Sequence, residues 1–234
     1  AFCYTGPRLS QRTYQTLLTQ WLHRQWLKHG WLSTCMKPFS WVVIGILTIR
    51  CFFYQAFPKK VFRASLPVLV IGNIFVGGTG KTPVVIALVN ALKTRGWQPG
   101  VISRGYGIRI GKNARAGQDP LNPALFGDEP ALIAQLTGAP IAVHPNRKKA
   151  IQALIAHSPS VDLIISDDGL QHLALSRDME IIVQDLRGVG NAQVMPAGPL
   201  REPVARMKKA HAIVTTVTTL REKMSVPAES AVRK

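Results

Sequence analysis

Short, uninterrupted apolar runs alternate with longer amphipathic ones across most of the chain. The runs Val68–Ile71, Gly100–Ser103, Ile141–His144, Leu163–Ser166, Glu180–Gln184 and Ala212–Thr216 predict strands. The amphipathic stretches Lys81–Arg95, Glu129–Leu136 and Arg147–His157 predict helices between them. Strands that read as continuous apolar runs imply a mostly parallel sheet with helices on both faces, an α/β fold. The segment Tyr106–Pro123, rich in Gly, Asn and Arg, predicts a mobile loop beside the ligand edge of that sheet. No internal repeat is present.

One apolar run breaks the alternation. Pro38–Phe57 is close to one bilayer thick if Arg50 is tolerated within it, and Lys59, Lys60 and Arg63 follow. An arginine inside a span is costly, so the expectation is a helix embedded in, or lying along, a membrane leaflet with the basic cluster on anionic headgroups. A buried core helix is the alternative. No small-residue cleavage site accompanies the run, which argues against a secretory signal. The chain therefore divides into a basic, aromatic segment 1–37, a membrane-associating helix and linker 38–65, an α/β domain 66–214 and a tail 215–234.

Charge sharpens this picture. The net charge is +17, and no Asp or Glu precedes Asp119, whereas 16 of the 29 Lys and Arg residues do. Such a surface favours polyanions: nucleic acid, a phospholipid surface or a phosphorylated substrate. Trp21, Trp26 and Trp31, set among basic residues, suit either RNA stacking or a headgroup interface. The three cysteines form neither a disulfide framework nor a metal-ligand spacing.

The chemistry begins at Val70–Pro83, VIGNIFVGGTGKTP. A strand leads into Gly77, Gly78, Thr79, Gly80, Lys81 and Thr82, and a helix leaves, the context of a phosphate-binding loop. Glycines let backbone N–H groups curl towards phosphate oxygens at a helix N-terminus. Lys81 would reach the β/γ-phosphates of ATP, and the Thr82 hydroxyl would hold Mg²⁺. The usual pattern asks for glycine where Phe75 stands, so only its second half is intact; Phe75 and Val76 complete the loop here. A plain glycine-rich turn with an incidental lysine is the simpler explanation, and the flanking strand and helix argue against it.

Carboxylates come next. Asp167 and Asp168 end a buried strand, where α/β sheets place their ligands, and could hold Mg²⁺ opposite Thr82. Two solvated turn aspartates are the alternative. Asp128 opens a short helix as either an N-cap or a carboxylate that positions an attacking hydroxyl. Arg104 and Tyr106 fall on the ligand edge after the second strand. Arg201 and Glu202 lie in a proline-rich loop, as a phosphate clamp and a metal helper or as a surface salt bridge. His172 could contact substrate, but alone it is expected to pack or hydrogen-bond.

In this order, PFSW, VIGNIFVGGTGKTP, GVISRGYG, GDEP, IISDDGLQH and PAGPLREP resemble the tetraacyldisaccharide 4'-kinase family over about Pro38–Met207. The resemblance implies a P-loop NTPase-like fold, ATP and Mg²⁺ as cofactors, and an acylated disaccharide phosphate as substrate at the cytoplasmic face of the bacterial inner membrane. It implies Asp128 as catalytic carboxylate with Lys81 and Arg201. Asp167 and Asp168 match a Walker B-like pair, and Glu202 joins them and Thr82 at the metal. Phe75 in place of glycine is normal for the family. Neither nucleic acid nor an obligate protein partner is expected. Family members continue past residue 234, and a C-terminal histidine motif has no counterpart here. The tail from Thr215 looks atypical, so nucleotide binding with impaired turnover is the expectation.

Two other classes compete. Membrane-recruited ATPase switches share a G-G-x-G-K-T loop but carry a signature lysine where this chain has Val76. A basic nucleic-acid-binding module would account for the charge, but not for Gly77–Thr82 or the Asp167–Asp168 pair.

Overall fold

The structure, a computed structural model, describes Trp26 and residues 30–217. The rest of segment 1–29 and the tail 218–234 lie outside the described residues, so the expectations for both ends are not addressed by it. Among the described residues, seven strands form one sheet: β1 (Val68–Gly72), β2 (Pro99–Ser103), β3 (Arg115–Gly117), β4 (Ile141–Val143), β5 (Leu163–Asp167), β6 (Met179–Asp185) and β7 (Ala212–Thr216). Their spatial order is β3-β4-β2-β5-β1-β6-β7. Every pairing is parallel except β3 with β4.

All six expected strands form, within a residue or two at their ends. The exception to expectation is β3. It falls inside Tyr106–Pro123, which therefore is not simply a loop: Arg115–Gly117 pairs antiparallel with Ile141–Val143 at the sheet edge. Three residues carry too little pattern to announce a strand, and β4 supplies the partner that stabilises it.

The α-helices are α1 (Trp31–Ala56), α2 (Lys81–Lys93), the single turn α3 (Pro123–Phe126), α4 (Asp128–Thr137) and α5 (Arg147–His157). Alternate residues of each strand serve opposite faces. Leu69, Ile71, Val101 and Ile165 pack with Val85 and Val89 of α2 and Ile133 of α4. Val68, Val70, Ile102 and Ile164 pack with Ala150, Ile151 and Leu154 of α5. Helices thus cover both faces, as the doubly apolar strands require.

Helix α1 begins at Trp31, seven residues before the expected Pro38, and runs for 26 residues, about 39 Å at 1.5 Å per residue. Pro38 sits inside it, where a missing N–H normally costs on the order of 3 kcal/mol. Bonds on either side offset that cost. Ser33 Oγ donates to the Ala197 carbonyl at 2.6 Å and Ser40 Oγ to the Val194 carbonyl at 2.7 Å. These serines are the buried residues of α1, and Val43, Ile44 and Leu47 continue the inward stripe onto Phe75 and Leu200.

The outward side is apolar: Trp41, Val42, Ile46, Ile49 and Phe52 are all exposed. Among the described residues nothing covers that side, unlike the mostly buried surface of a core helix. The helix is long and apolar enough to cross a membrane, with 11% of its most apolar window buried. Arg50 does not face that outward stripe; its Nη2 donates to the Gln171 carbonyl at 3.1 Å.

Candidate active site

β1 and β5 are adjacent and in register, with Ile71 opposite Asp167. Their C-terminal ends therefore deliver the glycine loop and the aspartate pair to one spot. A Cβ at Gly72 would meet that of Leu170 at 2.6 Å, so glycine is needed for the close approach. Gly77 and Gly80 adopt φ values of 100° and 72°, left-handed conformations that glycine enters without strain. Thr82 lies on the first turn of α2, with its hydroxyl free of protein hydrogen bonds among the described residues.

The loop is braced from three directions. Asn73, fully buried, donates through Nδ2 to the Phe75 and Gly77 carbonyls and to Thr79 Oγ1. Thr216 at the end of β7 donates to the Thr79 carbonyl at 2.9 Å. Arg187, held by Asp185, donates to the Gly78 carbonyl at 2.8 Å and stacks its guanidinium 4.4 Å from the Phe75 ring centre.

Phe75 fills the position of the absent glycine by leaving the loop for the core. It is 3% exposed and bridges to Leu200, while Val76 N–H donates to the Pro199 carbonyl and Arg201 N–H to that of Ile74. The proline-rich loop thus extends the sheet edge alongside the phosphate loop.

Lys81 Nζ lies 3.3 Å from Asp168 Oδ1, and Arg201 approaches the same oxygen at 3.5 Å. Asp168 has a φ of 48°, a strained conformation for a residue with a side chain. Buried Arg147 supports the turn by donating to the Asp167 carbonyl at 2.7 Å. Among the described residues, the buried oxygens Asp167 Oδ1 and Asp168 Oδ1 accept no hydrogen bond, and Asp168 Oδ1 is held by its ion pairs alone. Burial, then the neighbouring Asp168 charge, pushes the Asp167 carboxyl up to about 6. A buried carboxylate, Asp167, beside the part-exposed Asp168 at a phosphate loop fits a divalent cation, which would relieve both the desolvation and the repulsion. No group of three or more His, Cys, Asp or Glu converges among the described residues. That composition suits Mg²⁺, which takes one or two carboxylates and fills its remaining positions with water and phosphate.

Other expectations resolve differently. Arg201 and Glu202 do not pair with each other. Arg201 turns to Asp168, whereas buried Glu202 accepts from Gln171 Nε2 at 3.0 Å and pairs with Arg206 at 3.3 Å. Asp128 is not the N-cap of α4: Gly127 holds that position, and Asp128 is exposed with no side-chain hydrogen bond or ion pair among the described residues. Arg104 and His172 line a cleft together with Asp168 and Arg201; Tyr106 is exposed.

Asn73, Arg147, Gln171 and Arg187 are site residues that sequence reasoning missed. Gln171 donates to the Asn73 carbonyl as well as to Glu202, tying the loop to the proline-rich segment. Asn73 and Gln171 sit inside the two strongest motifs, which was the available signal. Arg147 and Arg187 carried none.

The family model for tetraacyldisaccharide-1-P 4'-kinase (LpxK) matches residues 32–233. The chain belongs to this family. The match reaches beyond Pro38–Met207, the stretch bearing the motifs, at both ends. A tetraacyldisaccharide 4'-kinase of Bordetella petrii is 60% identical over 193 residues, covering 82% of this chain and 54% of that protein. One of Bordetella parapertussis is 52% identical over 217 residues, covering 93% and 62%. The crystal structure of LpxK from Aquifex aeolicus in complex with ATP superposes with a TM-score of 0.69 at 32% identity, covering 79% of this chain and 59% of that one. The chain thus spans somewhat over half the length of these LpxK relatives, and its P-loop kinase fold is theirs.

Proposed function

We propose that this chain acts in transferring the γ-phosphate of ATP to the 4'-hydroxyl of a tetraacyldisaccharide 1-phosphate, a step of lipid A biosynthesis. The observation that carries this reading is the convergence of Lys81 and Arg201 on Asp168, beside the buried Asp167 carboxylate, at the mouth of the glycine loop. The ATP held by the Aquifex aeolicus relative supports the choice of nucleotide.

Backbone N–H groups of Phe75–Thr82 cradle the phosphates, and Lys81 neutralises charge at the β/γ-oxygens. Arg201 adds a second cation where negative charge accumulates. Thr82, Asp167 and Asp168 would hold Mg²⁺, which supplies charge neutralisation between the phosphates when bound. Glu202 belongs to the outer part of that set, since its oxygens are engaged by Gln171 and Arg206. Asp128, unengaged in this structure, orients the sugar hydroxyl and accepts its proton.

The outward apolar face of α1, followed by exposed Lys59, Lys60 and Arg63, supports association with the cytoplasmic face of the inner membrane. Thin-layer assay of γ-labelled ATP with tetraacyldisaccharide 1-phosphate tests the reading. Labelled lipid is expected; none, even when residues 1–234 are extended to the full length of the relatives, would sink it.

A further inference from the structure

Outside the cleft that holds Asp168 and Arg201, four charged side chains pack together largely out of water. Arg177, Glu180, Glu202 and Arg206 are each 9–14% exposed at the side chain, and none of them lines that cleft. Glu180 Oε1, on β6, accepts from Arg177 Nη1 at 3.0 Å and from Arg206 Nη2. Arg206, on the short helical segment Val204–Lys209, also sets its Nε 3.3 Å from Glu202 Oε2. Positive and negative charges therefore alternate along one line, Arg177–Glu180–Arg206–Glu202.

Each end of the line grips one loop of the site. Glu202 Oε1 accepts from Gln171 Nε2, which also donates to the Asn73 carbonyl. Asn73 fastens the glycine loop at Phe75, Gly77 and Thr79, and its Oδ1 accepts from Lys81 Nζ at 3.4 Å. At the other end, Arg177 donates to the carbonyls of Leu170, His172 and Leu175, in the turn that follows Asp167 and Asp168. Both loops are thus tied to a single carboxylate, that of Glu180.

Withdrawing four charges from water is a poor route to stability. Desolvation offsets most of what such pairs gain, and apolar side chains of similar volume often serve as well or better. What the arginine adds is direction. Arg206 meets Glu180 and Glu202 through two different nitrogens of one rigid plane, so the two carboxylates cannot shift independently. Resting on the kinase reading, we propose that Arg206 and Glu180 are positioning residues for phosphoryl transfer. Through Glu202, Gln171 and Asn73 they fix the glycine loop; through Arg177 they fix the aspartate turn. The placement of Lys81 relative to Asp168 depends on that frame.

Arg206→Lys keeps the charge and loses the plane, so it separates geometry from neutralisation. Its melting temperature is expected to stay near that of the parent chain, while hydrogen exchange of residues 73–82 quickens and the Kd for a fluorescent ATP analogue rises. In the transfer assay kcat falls on the order of ten- to a hundredfold with KM for the lipid unchanged, the scale of a small misplacement of reacting groups. Glu180→Gln, close to glutamate in shape, repeats the pattern. Adding Gln171→Ala to Arg206→Lys costs little more than either change alone, because both cut the same path. Full activity in Arg206→Lys, a loss of kcat that only tracks a lower melting temperature, or losses that multiply in the double variant would each overturn the positioning role and leave the kinase reading standing. A parent that labels no lipid, even when extended to the full length of the relatives, overturns the kinase reading and this role with it.

Discussion

Asp168 Oδ1 lies 3.3 Å from the Lys81 ammonium, joining the end of β5 to the first residue of α2. Phosphate would draw Lys81 towards the loop, and a cation would take over Asp168, so nucleotide binding exchanges this pair for two stronger ones. Lys81→Ala is expected to weaken ATP binding by tenfold or more, since charge-assisted bonds are worth about 1.5–3 kcal/mol. Its thermal stability should change little, because part-exposed ion pairs contribute roughly 0–1 kcal/mol. Titration with a fluorescent ATP analogue alongside a melting curve separates the two.

Asp128 has no structural partner to lose among the described residues. Asp128→Ala should therefore leave the fold and ATP affinity intact while removing transfer to lipid. Retained transfer would reassign the proton acceptor, with adjacent Glu129 the next candidate.

Arg187 shapes the phosphate loop without standing in its motif. Loss of its bond to the Gly78 carbonyl and its stack on Phe75 frees the carbonyl to turn inward. Arg187→Ala should raise the Kd for ATP on the order of tenfold, about 1.4 kcal/mol. Arg187→Lys should recover little of it, because lysine cannot reproduce the planar stack and fork. Equal affinity in both variants and the parent would remove Arg187 from the site.

Ser33 and Ser40 are the polar anchors of α1. The double variant Ser33→Ala/Ser40→Ala takes one of two donors from each of the Ala197 and Val194 carbonyls, which Asn191 Nδ2 and Gly198 N–H still serve, and leaves the buried Ala197 N–H without its Ser40 acceptor, at a cost of about 1–3 kcal/mol. Proteolysis of α1 should accelerate. ATP affinity should fall as well, because residues 194–201 carry both the serine acceptors and the Pro199 carbonyl bound by Val76. Unchanged proteolysis would show that the apolar stripe alone docks the helix.

His172, held at about 4 against an unfolded value near 6.5, resists protonation in the folded state. A depressed histidine contributes stability that is complete above the unfolded value and is lost as pH falls from about 6.5 to 4. Allowing for its partial exposure, the loss is on the order of 1–2 kcal/mol. Asp167, raised to about 6, acts in the opposite sense over part of that range. The measurement is therefore a difference, the pH dependence of unfolding in the parent minus that in His172→Gln. A flat difference across the window contradicts the assignment.

The sequence by itself determined the sheet, the loop and the aspartate pair. Doubly apolar strands can be buried only in a covered parallel sheet, and glycines before a lysine leave few backbone paths. Only the tertiary structure decided the pairings. Arg201 and Glu202 are neighbours in sequence, yet the extended backbone sends them to opposite partners, Asp168 and Arg206. Gly127 rather than Asp128 caps α4, which leaves the carboxylate free for chemistry. β3 exists because β4 offers an unpaired edge. The direction of α1 could not be read from its composition, because its apolar content is high on nearly every side. Two serines and one arginine orient it, and their acceptors, Ala197, Val194 and Gln171, lie more than a hundred residues away. Contacts of that separation leave no local pattern, so folding alone reveals them.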